Sequence, residues 1–218
     1  MRNSVMAASV LLLLASACSN DKKDKAAATD SMKVDTMANM VDTSQTKPID
    51  SATAAKAWET YMKPGNEHQM LAQSVGNWNA EITFYSPSGE IVSTNTGIKA
   101  ETKMILGGRY QQSTYKGQID GMPFEGVGTT GFDNAKKVYV STWMDNMGTG
   151  VMYLEGTFKE STKMLTSMGS ATDVVTGKAM KVRETLTFAD DNIQLMDMFD
   201  TKDGKEVKTM SIKLTRVK

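Results

Sequence analysis

Residues 76–85 read GNWNAEITFY, and their alternation decides the fold. Trp78, Ala80, Ile82 and Phe84 fall on one side of an extended chain, with Asn79, Glu81, Thr83 and Tyr85 on the other. One apolar side at a period of two is the pattern of a half-buried β-strand, because successive strand side chains point to opposite faces. The period returns down the chain. Val138, Val140 and Met144 alternate with Tyr139, Ser141 and Trp143. Val182, Leu186 and Phe188 alternate with Lys181, Arg183 and Thr187, and Met210, Ile212 and Leu214 with Thr209, Ser211 and Lys213. Turn signals stand between these runs: Ser86-Pro87-Ser88-Gly89, Gly107-Gly108, Asp120-Gly121, Asp133-Asn134, Asn146-Met147-Gly148, Thr176-Gly177, Asp190-Asp191-Asn192 and Asp203-Gly204. Short strands joined by hairpin turns predict an all-β antiparallel meander over residues 78–218, a closed barrel or a strongly curled sheet. No βαβ unit, P-loop or dinucleotide-binding glycine pattern is present.

Upstream of Trp78 the period lengthens. Ala55, Trp58 and Met62 share one face of a short helix that Pro64-Gly65 stops. A second helical turn follows, with Asn66 as its expected N-cap and Gln69 as capping-box partner. Residues 51–77 are thus expected to form a helical cap on the barrel. Residues 18–50 are rich in Ala, Asp, Lys, Ser and Thr without an aromatic, too polar to offset chain entropy, and are expected to be a disordered tether. Residues 1–17 read as a signal peptide: a positive start at Arg2, then an apolar run too short to span a bilayer. The run ends in Ala15-Ser16-Ala17-Cys18, which resembles a bacterial lipobox, so Cys18 is the expected site of lipid attachment. Ser19 rather than Asp follows it, which in lipoproteins favours the outer membrane. The alternative is a plain signal peptide cut after Ala17, which would leave a periplasmic or secreted protein with a free thiol.

Composition excludes several functions. Among 218 residues the net charge is zero, so no strong field directs the chain to nucleic acid, and membrane contact is expected through the lipid anchor only. With Cys18 the sole cysteine, no internal disulfide and no Cys-His site is available. His68 is the sole imidazole, and no Gly-x-Ser-x-Gly elbow exists, which argues against a Ser-His-Asp site. A several-histidine metal site is excluded too, and His68 reads as a helix-surface or capping residue. The 18 methionines are spread from Met32 to Met210 and read as adaptable core filler rather than copper ligands, so no metal or cofactor is assigned.

Gly76-Asn77-Trp78 at the start of a strand after a helical turn resembles the Gly-x-Trp of lipocalin and calycin barrels. That resemblance implies that Arg216, near the end of the last strand, packs over Trp78 and closes the barrel floor. Four longer strings are similar to the bacterial domain-of-unknown-function 1579 family, and together they cover most of residues 55–217. They are AWETYMKPGNEHQMLAQSVGNW, KMILGGRYQQSTYKG, GMPFEGVGTTGFDNAKKVYVSTWMDNMGTGVMYLEG and DGKEVKTMSIKLTRVK. The family implies a barrel and carries over no catalytic residue.

One constellation carries chemistry. If Ala189 pairs with Asn192 across the Asp190-Asp191 turn, Glu184 stands directly opposite Asp197 on otherwise apolar faces. Two carboxylates side by side inside a barrel cannot both ionise cheaply, so one holds a proton or a cation joins them, with Arg109 and Arg216 as candidate partners. Glu184, Asp197 and Arg109 are therefore the candidate ligand-binding residues. A buried salt-bridge network fixing the register is the plain alternative. The expected function is a barrel that binds a small, mostly apolar ligand. The alternatives are a side-chain-filled envelope protein that presents its loops to partners, and a carboxylate-dependent hydrolase or isomerase.

Overall fold

The computed structural model describes residues 50–202 and 204–218. Two short helices, α1 (Ser51–Met62) and α2 (Asn66–Ala72), precede ten antiparallel strands. The first five are β1 (Gly76–Tyr85), β2 (Ile91–Ile105), β3 (Tyr110–Ile119), β4 (Met122–Asp133) and β5 (Val138–Asp145). The rest are β6 (Met152–Lys159), β7 (Met164–Thr172), β8 (Ala179–Asp190), β9 (Ile193–Lys202) and β10 (Lys205–Arg216). Each strand pairs with the next, and β10 returns to β1 in the order β1-β10-β9-β8-β7-β6-β5-β4-β3-β2. The expected meander therefore closes, with Trp78 opposite Arg216 and Phe84 opposite Met210 at the seam.

Two apolar clusters fill parts of the interior. The first joins Trp78, Ala80, Ile82, Ile98, Ala100, Tyr115, Ile119, Phe124, Ile212 and Leu214 from β1 to β4 and β10. The second lies beneath α2, where Leu71 packs with Tyr139 and Leu165, and Met70, Phe132, Phe158 and Leu186 close around them. α2 thus stoppers one end of the barrel. Its start differs from the sequence expectation: Gly65 is the N-cap, and His68 rather than Gln69 completes the turn, its Nδ1 accepting from the Gly65 N–H at 3.0 Å. The His68 ring is buried against Phe132, which lowers its pKa mainly by desolvation and makes it a structural cap rather than a surface residue.

α1 departs further. Its start is capped by the Asp50 carboxylate, but none of its residues is buried, and Trp58 is 62% exposed. Only its last turn is tied down. Arg109 Nη2 donates to Met62 O, and Asn134 Nδ2 donates to the carbonyls of Tyr61 and Lys63. A period of 3.6 fixed the helix correctly without saying that its apolar face would find a neighbour.

Candidate functional site

The barrel floor is a set of mutually satisfied groups. Trp78 is 1% exposed and donates its indole N–H to Ser74 O at 2.9 Å. The Arg216 guanidinium lies 4.1 Å from the centroid of the Trp78 ring. It donates to Gln73 O, Val75 O and Asp191 O at 2.6–2.8 Å, so a cation joins the unpaired carbonyls after α2 to the end of the sheet. Gln194 Nε2 reaches Ser74 Oγ at 2.8 Å. Gly76 makes the close approach possible: its φ is +136°, and a Cβ there would stand 2.7 Å from Arg216 Nη1.

Above the floor the pairing of polar groups ends. The register places Glu184 on the inner face of β8, between Ser167 of β7 and Met198 of β9. β3 and β8 lie five places apart in the ring of ten in either direction, so Tyr115 faces Glu184 across the interior. Burial pushes the Tyr115 hydroxyl well above the usual phenol range, and the Glu184 charge pushes it further. Burial also raises the Glu184 carboxyl to about 7, and neither a hydrogen bond nor a neighbouring charge contributes to that shift.

Glu184 is deeply enclosed and yet keeps part of its surface accessible. Among the described residues no fully buried side-chain oxygen or nitrogen lacks a partner. A carboxyl group without a protein donor must therefore open onto space that water can enter. Other inward positions around it are likewise only half-buried: Phe84, Ser113, Trp143, Met152, Met198 and Met210. Ten strands give a wider bore than the eight that side chains just fill. The Trp143 indole lies flat on the β4 wall. Cβ atoms at Gly126 or Gly128 would stand 2.5 Å and 3.3 Å from its ring. Tyr115 meets that ring edge-on at 5.3 Å, and Phe124 stacks on it at 6.5 Å.

The expected Glu184–Asp197 pair is corrected. The register shifts between Phe188 and Asp190, where Ala189 is an extra residue, so Glu184 faces Met198 and Asp197 faces Thr185. A one-residue bulge reverses the faces of everything beyond it. Asp197 therefore lies outside the barrel, 2.5 Å from Lys208 Nζ. The same shift turns Asp200 inward, opposite Val182, a residue that the sequence reading did not single out. Burial raises its carboxyl as well, and as a diagonal neighbour on the inner face it stands roughly 7–8 Å from Glu184. Arg109 meets neither carboxylate; it is exposed at the turn after β2, bonded to Leu106 O and Met62 O. Cys18 lies outside the described residues. Among those residues no three His, Cys, Asp or Glu side chains converge as a metal site would require.

A family described as "Protein of unknown function (DUF1579)" matches residues 63–216, and the chain belongs to it. No curated protein matches the sequence. Among solved structures the chain is similar to the S-type phycobiliprotein lyase CPES from Guillardia theta, at 10% identity and a TM-score of 0.43, over 70% of this chain and 93% of that one. It is also similar to a protein of unknown function from the DUF3598 family of Nostoc punctiforme, at 8% identity and a TM-score of 0.21, over 72% of this chain and 100% of the other.

Proposed function

We propose that this chain is an envelope-anchored binding protein whose barrel takes up a small, mostly apolar molecule, with Glu184 orienting its polar end. The observation that carries the reading is the Glu184 carboxyl, on the inner face of the barrel, partly accessible and without a protein donor among the described residues. A protein that only needed a stable barrel would gain by replacing this group with an apolar one, since an unpartnered buried carboxyl costs stability. The walls suit an apolar guest. Trp143 and Phe84 offer flat surface, and Met152, Met198 and Met210 offer side chains that adapt to irregular shapes. Lipid attachment at Cys18, with residues 19–50 as a tether, belongs to the same proposal: it would hold the barrel beside the membrane, where apolar molecules partition.

A second reading, docking of a protein partner, is favoured by the loops opposite α2. Ile91, Val92, Met122, Met147, Val151, Val174 and Val175 are all exposed there, and Val174 is 93% exposed. Native mass spectrometry of the full chain, extracted from its own membranes, separates the two. A reproducible small bound mass is expected. A mass equal to that of the chain and its modification alone, with a protein partner co-purifying, would favour the docking reading.

A further inference from the structure

Resting on the reading of the lumen as a binding site, we infer that its guest carries a positive charge, a lipophilic amine or other cationic amphiphile, held by Glu184 at the centre of an acidic, aromatic-walled bore. The inward-facing ionisable groups sort by sign. Between floor and mouth, the side chains that the register turns inward include three carboxyls: Glu184 on β8, Asp200 on β9 and Asp145 on β5. Of the lysines and arginines on these strands, those of β8 point the other way, while Lys202 of β9 shares the side of Asp200 and, with Lys205 opposite it, stands at the rim. Arg183 and Lys181 stand one and three residues before Glu184 and so lie on the outer face of β8, where Arg183 binds Glu206 through Nε and Nη2 at 2.8 and 2.6 Å. Lys208 is outside with Asp197, and Lys116 with Glu125. Arg216 is the cation of the inner surface near the floor, and three carbonyls already occupy it. Lys202 stands at the rim beside Asp200 and offsets part of that residue's burial.

The three carboxyls are not equivalent. Asp145 is engaged, since Oδ2 accepts the Trp143 indole N–H at 2.6 Å and Oδ1 accepts the Met147 N–H at 2.9 Å. Asp200 lies beside Lys202. Among the described residues no cation stands near enough to Glu184 to stabilise its ionised form. A cationic head group would supply both the donor and the countercharge that the protein withholds, and the Trp143 and Tyr115 rings belong to the same inner wall. An anionic guest would instead meet three carboxyls, with Lys202 and Lys205 only at the rim.

The groups facing Glu184 set the pH response. They are the Tyr115 hydroxyl from β3, Asp200 from β9 and Ser167 from β7, with Asp145 farther toward the mouth. Tyr115 stays neutral throughout the working range, so the change of charge near neutrality belongs to Glu184. Selectivity for cations should therefore be strong at pH 8 and fade as the pH falls below about 6.

The test uses the full chain and three probes of one tail length, dodecylamine, dodecanol and dodecanoate, each displacing the neutral fluorophore N-phenyl-1-naphthylamine. At pH 8 the amine should displace it at least about tenfold more tightly than the alcohol, with the carboxylate weakest. Glu184→Gln should reduce the amine to the level of the alcohol, Asp200→Asn should reduce the preference in part, and Asp197→Asn, outside the barrel, should preserve it. Equal affinities of amine and alcohol for the native chain would overturn the inference while leaving the lumen a binding site. So would a preference unchanged by Glu184→Gln. If the fluorophore fails to bind at all, the lumen reading fails and this inference falls with it.

Discussion

The floor and the lumen of this barrel are built from the same kinds of residue and treated in opposite ways. At the floor, a half-buried cation, a buried indole N–H and a buried glutamine amide each meet a partner at 2.6–2.9 Å. Half a barrel away, a buried carboxyl meets none among the described residues. Pairing at the floor lowers the cost of burying polar atoms and fixes where α2, β1 and β10 meet. The lumen leaves that cost standing. A difference of this kind inside one sheet separates residues that hold the fold from the residues on which the proposed binding rests.

The largest effect expected from disturbing the comparison lies at the floor. Trp78→Ala removes a fully buried indole, its bond to Ser74 O and the ring beneath Arg216. It should cost about 3–5 kcal/mol in equilibrium urea unfolding. A loss below about 1 kcal/mol would mean that the floor does not close the barrel.

The lumen should respond with the opposite sign. Glu184 keeps its proton up to pH about 7 in the folded chain but releases it near the ordinary 4.5 once unfolded. Between those values the folded state binds more protons, so this group lowers stability as the pH rises through the window and contributes nothing below it. Glu184→Gln removes the penalty. It should match the native chain at pH 4 and exceed it by roughly 2–3 kcal/mol at pH 8, the full linkage value being reduced by water in the lumen. Unfolding curves at the two pH values measure this directly. A variant less stable than the native chain at pH 8 would show that Glu184 is a structural group like those of the floor.

Gly76→Ala sharpens the contrast from the side of geometry. It places a Cβ against Arg216 Nη1 and asks alanine for a φ of +136°. A loss of about 1–3 kcal/mol is expected in the same assay, without change in binding of a neutral probe to the lumen.

How much of this was legible follows from which physical rule each feature obeys. The barrel was legible because GNWNAEITFY and the later strands alternate cleanly and because antiparallel neighbours need only short turns. The placement of Arg216 over Trp78 came through the Gly-x-Trp resemblance, not through periodicity. The inner carboxyls were half legible. Glu184 lies on the apolar side of β8, which contains Val182, Leu186 and Phe188. On β9 both sides mix apolar and acidic residues: Ile193, Leu195, Asp197 and Phe199 on one, Gln194, Met196, Met198 and Asp200 on the other. Only the bulge at Ala189 decides between them, and no residue type in Phe188-Ala189-Asp190 announces it. A signal did exist in β4 and β5. Gly126 and Gly128 leave room for a ring, and Trp143 on the adjacent strand occupies it, which marks Tyr139, Ser141 and Trp143 as the inner side although Val138 and Val140 look more apolar.

The smallest expected effect tests that bulge. With Ala189 as an extra residue, Asp197 is a surface partner of Lys208, both about a third exposed, and such pairs contribute about 0–1 kcal/mol. Asp197→Asn should therefore change stability by less than about 1 kcal/mol and leave the Glu184 titration where it was, read by NMR of the Glu184 carboxyl. The unbulged register makes the contrary demand. There the two carboxyls would face each other, Asp197 would hold the Glu184 proton in place by like-charge repulsion, and its neutralisation would lower the Glu184 pKa toward the usual carboxylate range. A titration that moves would place Asp197 back inside the barrel and Asp200 outside it; one that stays gives the lumen the acidic lining on which the proposed preference for a cation depends.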